Sequence, residues 1–557
     1  MTHLQTGHSA VKHRAAKCRG MAGRRQNRQA PIAVLFIGML LLPFAQAWAL
    51  SLDTGSPDVK LVWNNTLRYN LGMRAQGRDP RIADNAVFDQ GDAIFDRGAA
   101  ITNRIDWLSE LDLVYKERYG LRVSAAAWYD TAYGDRGRSN PYAQGMDVVP
   151  NSYVNNKFTS YVKRYYAGPS GELLDAFVYG VFDVGDSVWN VKLGRHALIW
   201  GESLFGNTHA ISFSQVPSDG MKGVTNPGAS AKETALPVAQ MSTIAQINPE
   251  LSLLAQVGFA WEPTRIPEGG TYFGVDVVNK GPNVNRLSPI EGKAGDLGLG
   301  IKLSPEWLDG TLGFYARRFD DKNGWLAQDA GNGRTRAVYA RDIDLLGVAL
   351  VKRIGWVLAG AELSYRFDDP LNSTGSAGPA GGYEGARGNT WHGVLNGIVS
   401  FSPSAIYDSA FLAAELAWNR LDRVTRNPEL YLAKGYNSAC DSDATIKGCA
   451  DKQFLSFGLS FTPGWNQVYP GVDISMPLFV SRGISGNAPS NGGGVEGFTV
   501  YKVGLTAKVY SSHQFDLTYT GYDQKIKRAP DSPLGSYVLG GPLRDKGWLS
   551  FTYQATF

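Results

Sequence analysis

Gly547-Trp548-Leu549-Ser550-Phe551-Thr552-Tyr553-Gln554-Ala555-Thr556-Phe557 closes the chain in strict alternation. Leu549, Phe551, Tyr553, Ala555 and Phe557 fall on one face and Ser550, Thr552, Gln554 and Thr556 on the other, as in a strand with an apolar medium on one side and water on the other. A half-buried strand ending a soluble β domain has the same pattern. The rest of the chain must separate the two.

The N-terminus carries Lys12, Arg14, Lys17, Arg19, Arg24, Arg25 and Arg28, then an apolar run from Ile32 to Phe44, then Ala47-Trp48-Ala49. A basic segment, an apolar stretch too short to cross a bilayer as a helix and a small-x-small site are the parts of a signal peptide. Residues 1–49 are therefore expected to be removed, leaving a mature barrel over 50–557. A start at Met21 would only shorten the basic segment, and Arg24-Arg25 lacks the apolar residue a twin-arginine signal needs. Beyond the leader no uncharged apolar stretch of about 18 residues occurs, so only a closed barrel could span a membrane. The 43% apolar content decides nothing, because a barrel apolar on alternate residues averages to such a value. Gly 65, Tyr 26, Phe 24 and Trp 14 suit many turns and aromatic girdles.

The formal net charge is +4, less than the leader's own basic excess, so the mature chain is near neutral and has no nucleic-acid footprint. Of three cysteines, Cys18 leaves with the leader, and Cys440 and Cys449 are expected to form a small disulfide loop. Two thiols without neighbouring histidines supply too few ligands for a metal, and no cofactor is expected.

Alternation recurs throughout. Val59, Leu61, Trp63, Leu67 and Tyr69 oppose Lys60, Asn64, Thr66, Arg68 and Asn70; Ile105 to Tyr115 and Leu121 to Tyr129 follow as a hairpin. Further strands are expected near 173–183, 187–194, 238–247, 250–261, 296–304, 311–319, 342–352, 356–367, 391–401, 410–420, 453–462, 468–480, 499–510, 513–522 and 547–557, about 18 in all; the phase of 173–183 is ambiguous. Short connections at Tyr119-Gly120, Asn248-Pro249, Ile354-Gly355 and Ser511-Ser512 alternate with long ones at 71–101, 131–172, 195–237, 262–295, 320–341, 368–390, 421–452, 481–498 and 523–546. An all-β transmembrane antiparallel barrel, with short periplasmic turns and long extracellular loops, generates that asymmetry. The outer membrane, its lipid and lipopolysaccharide, and the barrel-assembly machinery are then the expected surroundings. Phe551, Tyr553 and Phe557 resemble the C-terminal assembly signal of such barrels.

Val191-Lys192-Leu193-Gly194-Arg195-His196-Ala197-Leu198-Ile199-Trp200-Gly201-Glu202-Ser203, Pro227-Gly228-Ala229, Lys232-Glu233-Thr234-Ala235-Leu236-Pro237, Trp63 to Asn70, Asn103-Arg104 and Glu110 to Leu113 together resemble the proteobacterial outer-membrane family labelled domain of unknown function 1302 (DUF1302). The resemblance covers essentially the whole mature chain. It implies an outer-membrane channel for hydrophobic or amphipathic compounds such as lipids, sterols or aromatics, working with a periplasmic lipoprotein-like carrier and a resistance-nodulation-division permease. It implies no catalytic residues.

About 18 strands enclose a lumen too wide for wall side chains to fill, so an inserted element is expected, with 195–237 the candidate. On its strand Trp189, Val191 and Leu193 take the lipid phase, so simple continuation would aim Arg195 at lipid. A bend at Gly194 is expected instead, bringing Arg195, His196, Trp200 and Glu202 to the rim, with the remainder either folded inward or capping the mouth from outside. Arg68, Arg104, Asp106, Glu110, Asp112, Arg122, Glu362 and Arg366 take the inward phase and complete the candidate solute path. They either focus a transverse field or pair with one another along a wet wall. Leu108, Val114, Trp128 and Leu358 share that phase, and such a mixed lining suits an amphipathic permeant. No enzyme is expected: His392 near Asn396 is the one suggestive pair among His196, His209, His392 and His513, and a hydrogen-bonded lumen histidine explains it equally. A surface-exposed adhesion or envelope-structural barrel is the alternative. A first strand about ten residues after the leader leaves no room for the plug of a gated receptor.

Overall fold

Period-two alternation is realised as eighteen antiparallel strands, each at a position where the sequence expects one. They are β1 Val59–Arg74, β2 Ala100–Tyr115, β3 Tyr119–Asp130, β4 Ser170–Val184, β5 Ser187–His196, β6 Val238–Asn248, β7 Leu251–Gly258, β8 Leu297–Leu303 and β9 Gly310–Phe319. The second half is β10 Ile343–Ile354, β11 Val357–Pro370, β12 Arg387–Phe401, β13 Ser409–Arg426, β14 Gln453–Tyr469, the two-part β15 Val472–Ser475 and Leu478–Ser485, β16 Thr499–Val509, β17 His513–Asp523 and β18 Trp548–Thr556. This is a computed structural model, and it describes residues 50–557 except 84–90, 92–93, 135–157, 227, 270, 275–287, 329–334, 375–383, 443, 446, 528–535 and 538–540. The expected leader, with Cys18, lies outside the described residues.

Each strand pairs with the next, and β18 returns to β1 from Thr66↔Thr556 to Arg74↔Trp548, closing the barrel. Beyond that ladder Phe557 exchanges two backbone hydrogen bonds with Asn65 (2.7 and 2.8 Å), and Leu50–Leu52 continues the same line along β1 through Leu50↔Trp63. Deleting Phe557 shortens the closing seam at its periplasmic end and removes the terminal aromatic. Loss of the heat-modifiable band in outer-membrane fractions is the expected result, and normal insertion would refute the signal role.

Three details depart from the sequence expectation. The first hairpin turns at Lys116 and Glu117, both left-handed (φ 49° and 57°), at the start of the expected 116–120 turn, and the strand resumes already at Tyr119. β14 runs on to Tyr469, which displaces the following strand to begin at Val472 after the turn at Gly471 (φ 76°). In β4, Val123↔Ala176 and Ala125↔Leu173 leave Leu174 and Asp175 opposite Ser124 alone. This bulge swaps the inward phase from even to odd residues, which is why no single phase fits 173–183.

Outward residues such as Leu299, Leu346, Leu395 and Val503 are 50–66% exposed and form a continuous apolar belt. Tyr115, Trp307, Trp356, Tyr469 and Tyr510 ring its periplasmic edge beside the short turns. A closed barrel with an apolar exterior belongs in the bacterial outer membrane, and one of eighteen strands has the architecture of an outer-membrane channel.

Cys440 and Cys449 are bonded within the 427–452 loop, and both are buried. The bridge is expected to stabilise that loop by about 2–3 kcal/mol. Thiol reagents should leave unreduced cells unlabelled, and ready labelling would contradict the bridge.

Candidate functional site

The 197–237 segment leaves the wall after His196 and lies inside the barrel. Gly194 has a left-handed φ of 130°, but the β5–β6 ladder keeps its register through Arg195↔Ala239 and His196↔Val238. The expected redirection of Arg195 therefore does not occur. It stays on the outer phase and is held by Glu262 at 2.6 Å, which removes the cost of leaving it unpaired beside lipid. His196 points inward, is buried, and shares a 2.8 Å hydrogen bond with the Ser242 hydroxyl.

The first half of the segment is fixed to the β7–β13 wall. Glu362 accepts backbone N–H bonds from Glu202, Ser203 (3.1 Å) and Ile211 (2.7 Å). Glu415 accepts from Leu204 (2.5 Å) and Phe205 (3.3 Å). Opposite in sign, Arg366 donates to the Thr208 and Ala210 carbonyls (2.7 and 3.1 Å), and Arg317 to those of Ile211 and Phe213 (2.6 and 2.8 Å). Wall charges thus satisfy backbone groups that would otherwise be orphaned inside the barrel. Between them Trp200, Ile211 and Phe213 pack on inward Leu254, Tyr315, Phe319, Ile343 and Leu345 as a small core. Gly298 allows this: a Cβ there would lie 2.7 Å from the Trp200 ring. Gly201, at φ 93°, brings the chain onto Glu362, where a Cβ would overlap the carboxylate.

The second half crosses to β1–β4. Glu233 forms a bidentate pair with Arg68 (3.0 and 3.2 Å), Lys232 reaches Glu110 (2.5 Å) and Lys222 reaches Glu172 (2.5 Å). Ser230 and Glu233 make a capping box that sets the short Ala231–Thr234 helix carrying Lys232 and Glu233, while Lys222 lies on the preceding Gly220–Thr225 turn of helix. Lys222 also lies 4.7 Å from the Trp128 ring centroid.

The inward charges read from the sequence are therefore mostly committed. Arg104 binds Asp106 (2.7 Å), Arg122 binds Glu110 and Asp112 (2.5 and 3.0 Å), and Arg68, Glu362 and Arg366 hold the inserted segment. Of the two sequence readings, mutual pairing describes this wall, not free ladders. Glu202 contributes its backbone, and burial raises its carboxyl above the usual range. His392 does not meet Asn396. It faces His209 (3.1 Å between Nδ1 atoms) and Thr390 (2.8 Å), while Asn396 donates to the Glu202 carbonyl at 2.6 Å. Glu415, Arg317 and Lys222 were not singled out by sequence, and Lys232 and Glu233 entered only as part of the stretch that carries the family resemblance, with no site role. The spacing of Glu415, Arg317 and Lys222 carries no motif, although Ser230-x-x-Glu233 is a legible cap.

A third attachment joins Ser214 to Asp321 on the 320–342 loop, where the hydroxyl donates to the carboxylate and the Asn323 N–H adds a 2.9 Å bond. Burial, with Asp369 nearby and Lys322 opposing, pushes the Asp321 carboxyl up to about 6. An unfolded carboxylate titrates near 3.9, so this group's contribution to stability is complete below about pH 4 and is lost as pH rises through 6. Amide exchange at Lys322, whose N–H donates to the Ser214 hydroxyl at 3.1 Å, is expected, once corrected for its intrinsic rate, to accelerate from pH 5 to pH 8 in the native protein and not in Asp321→Asn.

No curated protein matches the chain. Among solved structures, OccAB3 of Acinetobacter baumannii is similar at 11% identity over 90% of this chain and 100% of that one, with a TM-score of 0.42. OpdK of Pseudomonas aeruginosa, crystallised with vanillate, gives 10%, 89%, 98% and 0.41; a BenF-like porin of Pseudomonas fluorescens Pf-5 gives 10%, 90%, 98% and 0.41. The family model described as protein of unknown function DUF1302 matches residues 30–557, so the chain belongs to the DUF1302 family.

Proposed function

We propose that the protein is a passive channel for small amphipathic or hydrophobic compounds of lipid, sterol or aromatic type, its aperture set by the 197–237 segment. The observation that carries this reading is that the segment crosses the lumen, fixed to β7–β13 by one half and to β1–β4 by the other. An element that divides a lumen sets the size of what passes. Within the lumen the Phe205 ring stays 37% exposed, an apolar surface on the inserted segment itself that suits an amphipathic solute. A periplasmic lipoprotein-like carrier and a resistance-nodulation-division permease would take such solutes onward, since compounds of this kind need escort across an aqueous compartment.

Proteoliposomes offered fatty acids, sterols, aromatic acids and sugars test the reading. Uptake of the first three classes ahead of sugars is expected. Uptake of sugars alone would overturn the solute class, and a barrel passing nothing would favour an adhesion or structural role.

A further inference from the structure

The inserted segment makes no polar attachment, among the described residues, to one part of the wall and shares with it only the apolar cluster that holds Met221, Val224, Val500 and Tyr522. Among the described residues no hydrogen bond, ion pair or ring–ring contact joins 197–237 to β16 or β17, whereas β1–β4 and β7–β13 are bound to it as described above. The inner face of β16 carries Lys502, Gly504, Thr506 and Lys508 by the alternation that turns Val503 and Leu505 to lipid. Lys502 is exposed within the lumen and makes no hydrogen bond or ion pair among the described residues. The wall carboxylates Asp106, Glu110, Asp112, Glu172, Glu362 and Glu415 are, by contrast, each bound to a cation or to backbone N–H groups. On this side the inward carboxylate of Asp516 on β17 is taken up by the Thr506 hydroxyl (2.6 Å) and the Gln514 amide (2.9 Å), and no carboxylate among the described residues pairs with Lys502.

What flanks Lys502 is apolar. Phe479 on β15 is its direct cross-strand partner, which sets the two Cβ atoms about 5 Å apart on the same inner face. Phe205, from the tip of the inserted segment, meets the Phe479 ring edge to face at 5.4 Å and remains 37% exposed. Phe205 reaches that position over Gly458, where a Cβ would come within 2.7 Å of the ring, and Glu415 holds its backbone. An unpaired ammonium beside two rings in edge-to-face contact, one fixed to the wall and one to the inserted segment, offers a charge-assisted hydrogen bond to an anion and an apolar face to its tail.

We propose that Lys502, Phe479 and Phe205 form a binding subsite for amphipathic carboxylates, with the carboxylate on Lys502 and the hydrocarbon or aromatic body against the two rings. The proposal rests on the channel reading for its place in transport, but not for binding itself. 3-Phenylpropionate is the probe, because it is water-soluble and does not partition strongly into micelles. Its binding is read calorimetrically on the detergent-solubilised full barrel, beside the isosteric alcohol 3-phenylpropanol.

Wild-type protein should bind the acid at least tenfold more tightly than the alcohol. Lys502→Gln should abolish that preference, Lys502→Arg should keep it, and Lys508→Gln, lower on the same strand, should change it less than threefold. Equal affinity for acid and alcohol in the wild type overturns the proposal. So does a preference that survives Lys502→Gln, or one lost equally in Lys502→Arg, which would mark a structural rather than an electrostatic role. A barrel that binds the acid yet conducts nothing upholds the subsite and refutes the channel. One that conducts without the preference refutes the subsite alone.

Discussion

Excision of residues 206–231, with a short Gly-Ser bridge, raises single-channel conductance several-fold and admits larger solutes. The segment removed carries the His209, Ile211–Gln215 and Asp219–Thr225 contacts that fill the lumen from β11 round to β3. The ladder of wall hydrogen bonds does not depend on it, so the barrel should remain heat-modifiable. The buried partners left behind, among them Arg317, Arg366 and Glu172, regain water as the lumen fills. Planar-bilayer recordings check the outcome; unchanged conductance in a folded barrel would mean that the aperture is set elsewhere.

Glu362→Ala has the second large effect, and it acts without shortening the chain. Three backbone N–H groups of the segment lose one acceptor together. Charge-assisted hydrogen bonds contribute about 1.5–3 kcal/mol each, and buried donors left unsatisfied carry a further cost, so docking of residues 202–211 should weaken by roughly 3 kcal/mol or more. That corresponds to about a hundredfold larger undocked population, since each 1.4 kcal/mol is tenfold. Current through the single channel should flicker between the native level and a larger one, with exchange protection lost at Ser203 and Ile211. Full protection at both amides would show that Glu415, Arg317 and Arg366 suffice.

Legibility of the chain differed between wall and lumen for a physical reason. An outer face against lipid tolerates almost no polar residue, so Val357 to Phe367 or Tyr501 to Val509 declare their period without help from context. The inner face is under no such rule. On β9 and β10, Tyr315, Phe319, Ile343 and Leu345 are apolar because Trp200 and Phe213 cover them, and nothing local announces a partner more than a hundred residues away. Arg68 was legible as inward, but its pairing with Glu233, 165 residues distant, was not. A separation of 67 residues likewise hid the fate of Arg195, whose outward phase was correctly costly yet is relieved by Glu262 rather than by a bend. Lys502 was visible as the polar alternate of Tyr501 and Val503. What could not be seen was that the carboxylate of the neighbouring strand, Asp516, would turn to Thr506 and Gln514 and leave Lys502 without a partner among the described residues.

Attachment of one segment to opposite walls also has a mechanical meaning. An empty ring of strands is stiff along the strands and soft in cross-section, because neighbouring strands pivot about their hydrogen bonds and the circle can flatten. Here the anchors at Arg68, Glu110 and Glu172 on one side and at Glu362, Glu415 and Arg317 on the other are joined by a single stretch of chain. Such a strut loads in tension when the ring widens and in compression when it narrows. The cross-section is thereby set by covalent and ionic links inside the protein, and it should change little with the lateral pressure of the membrane around it.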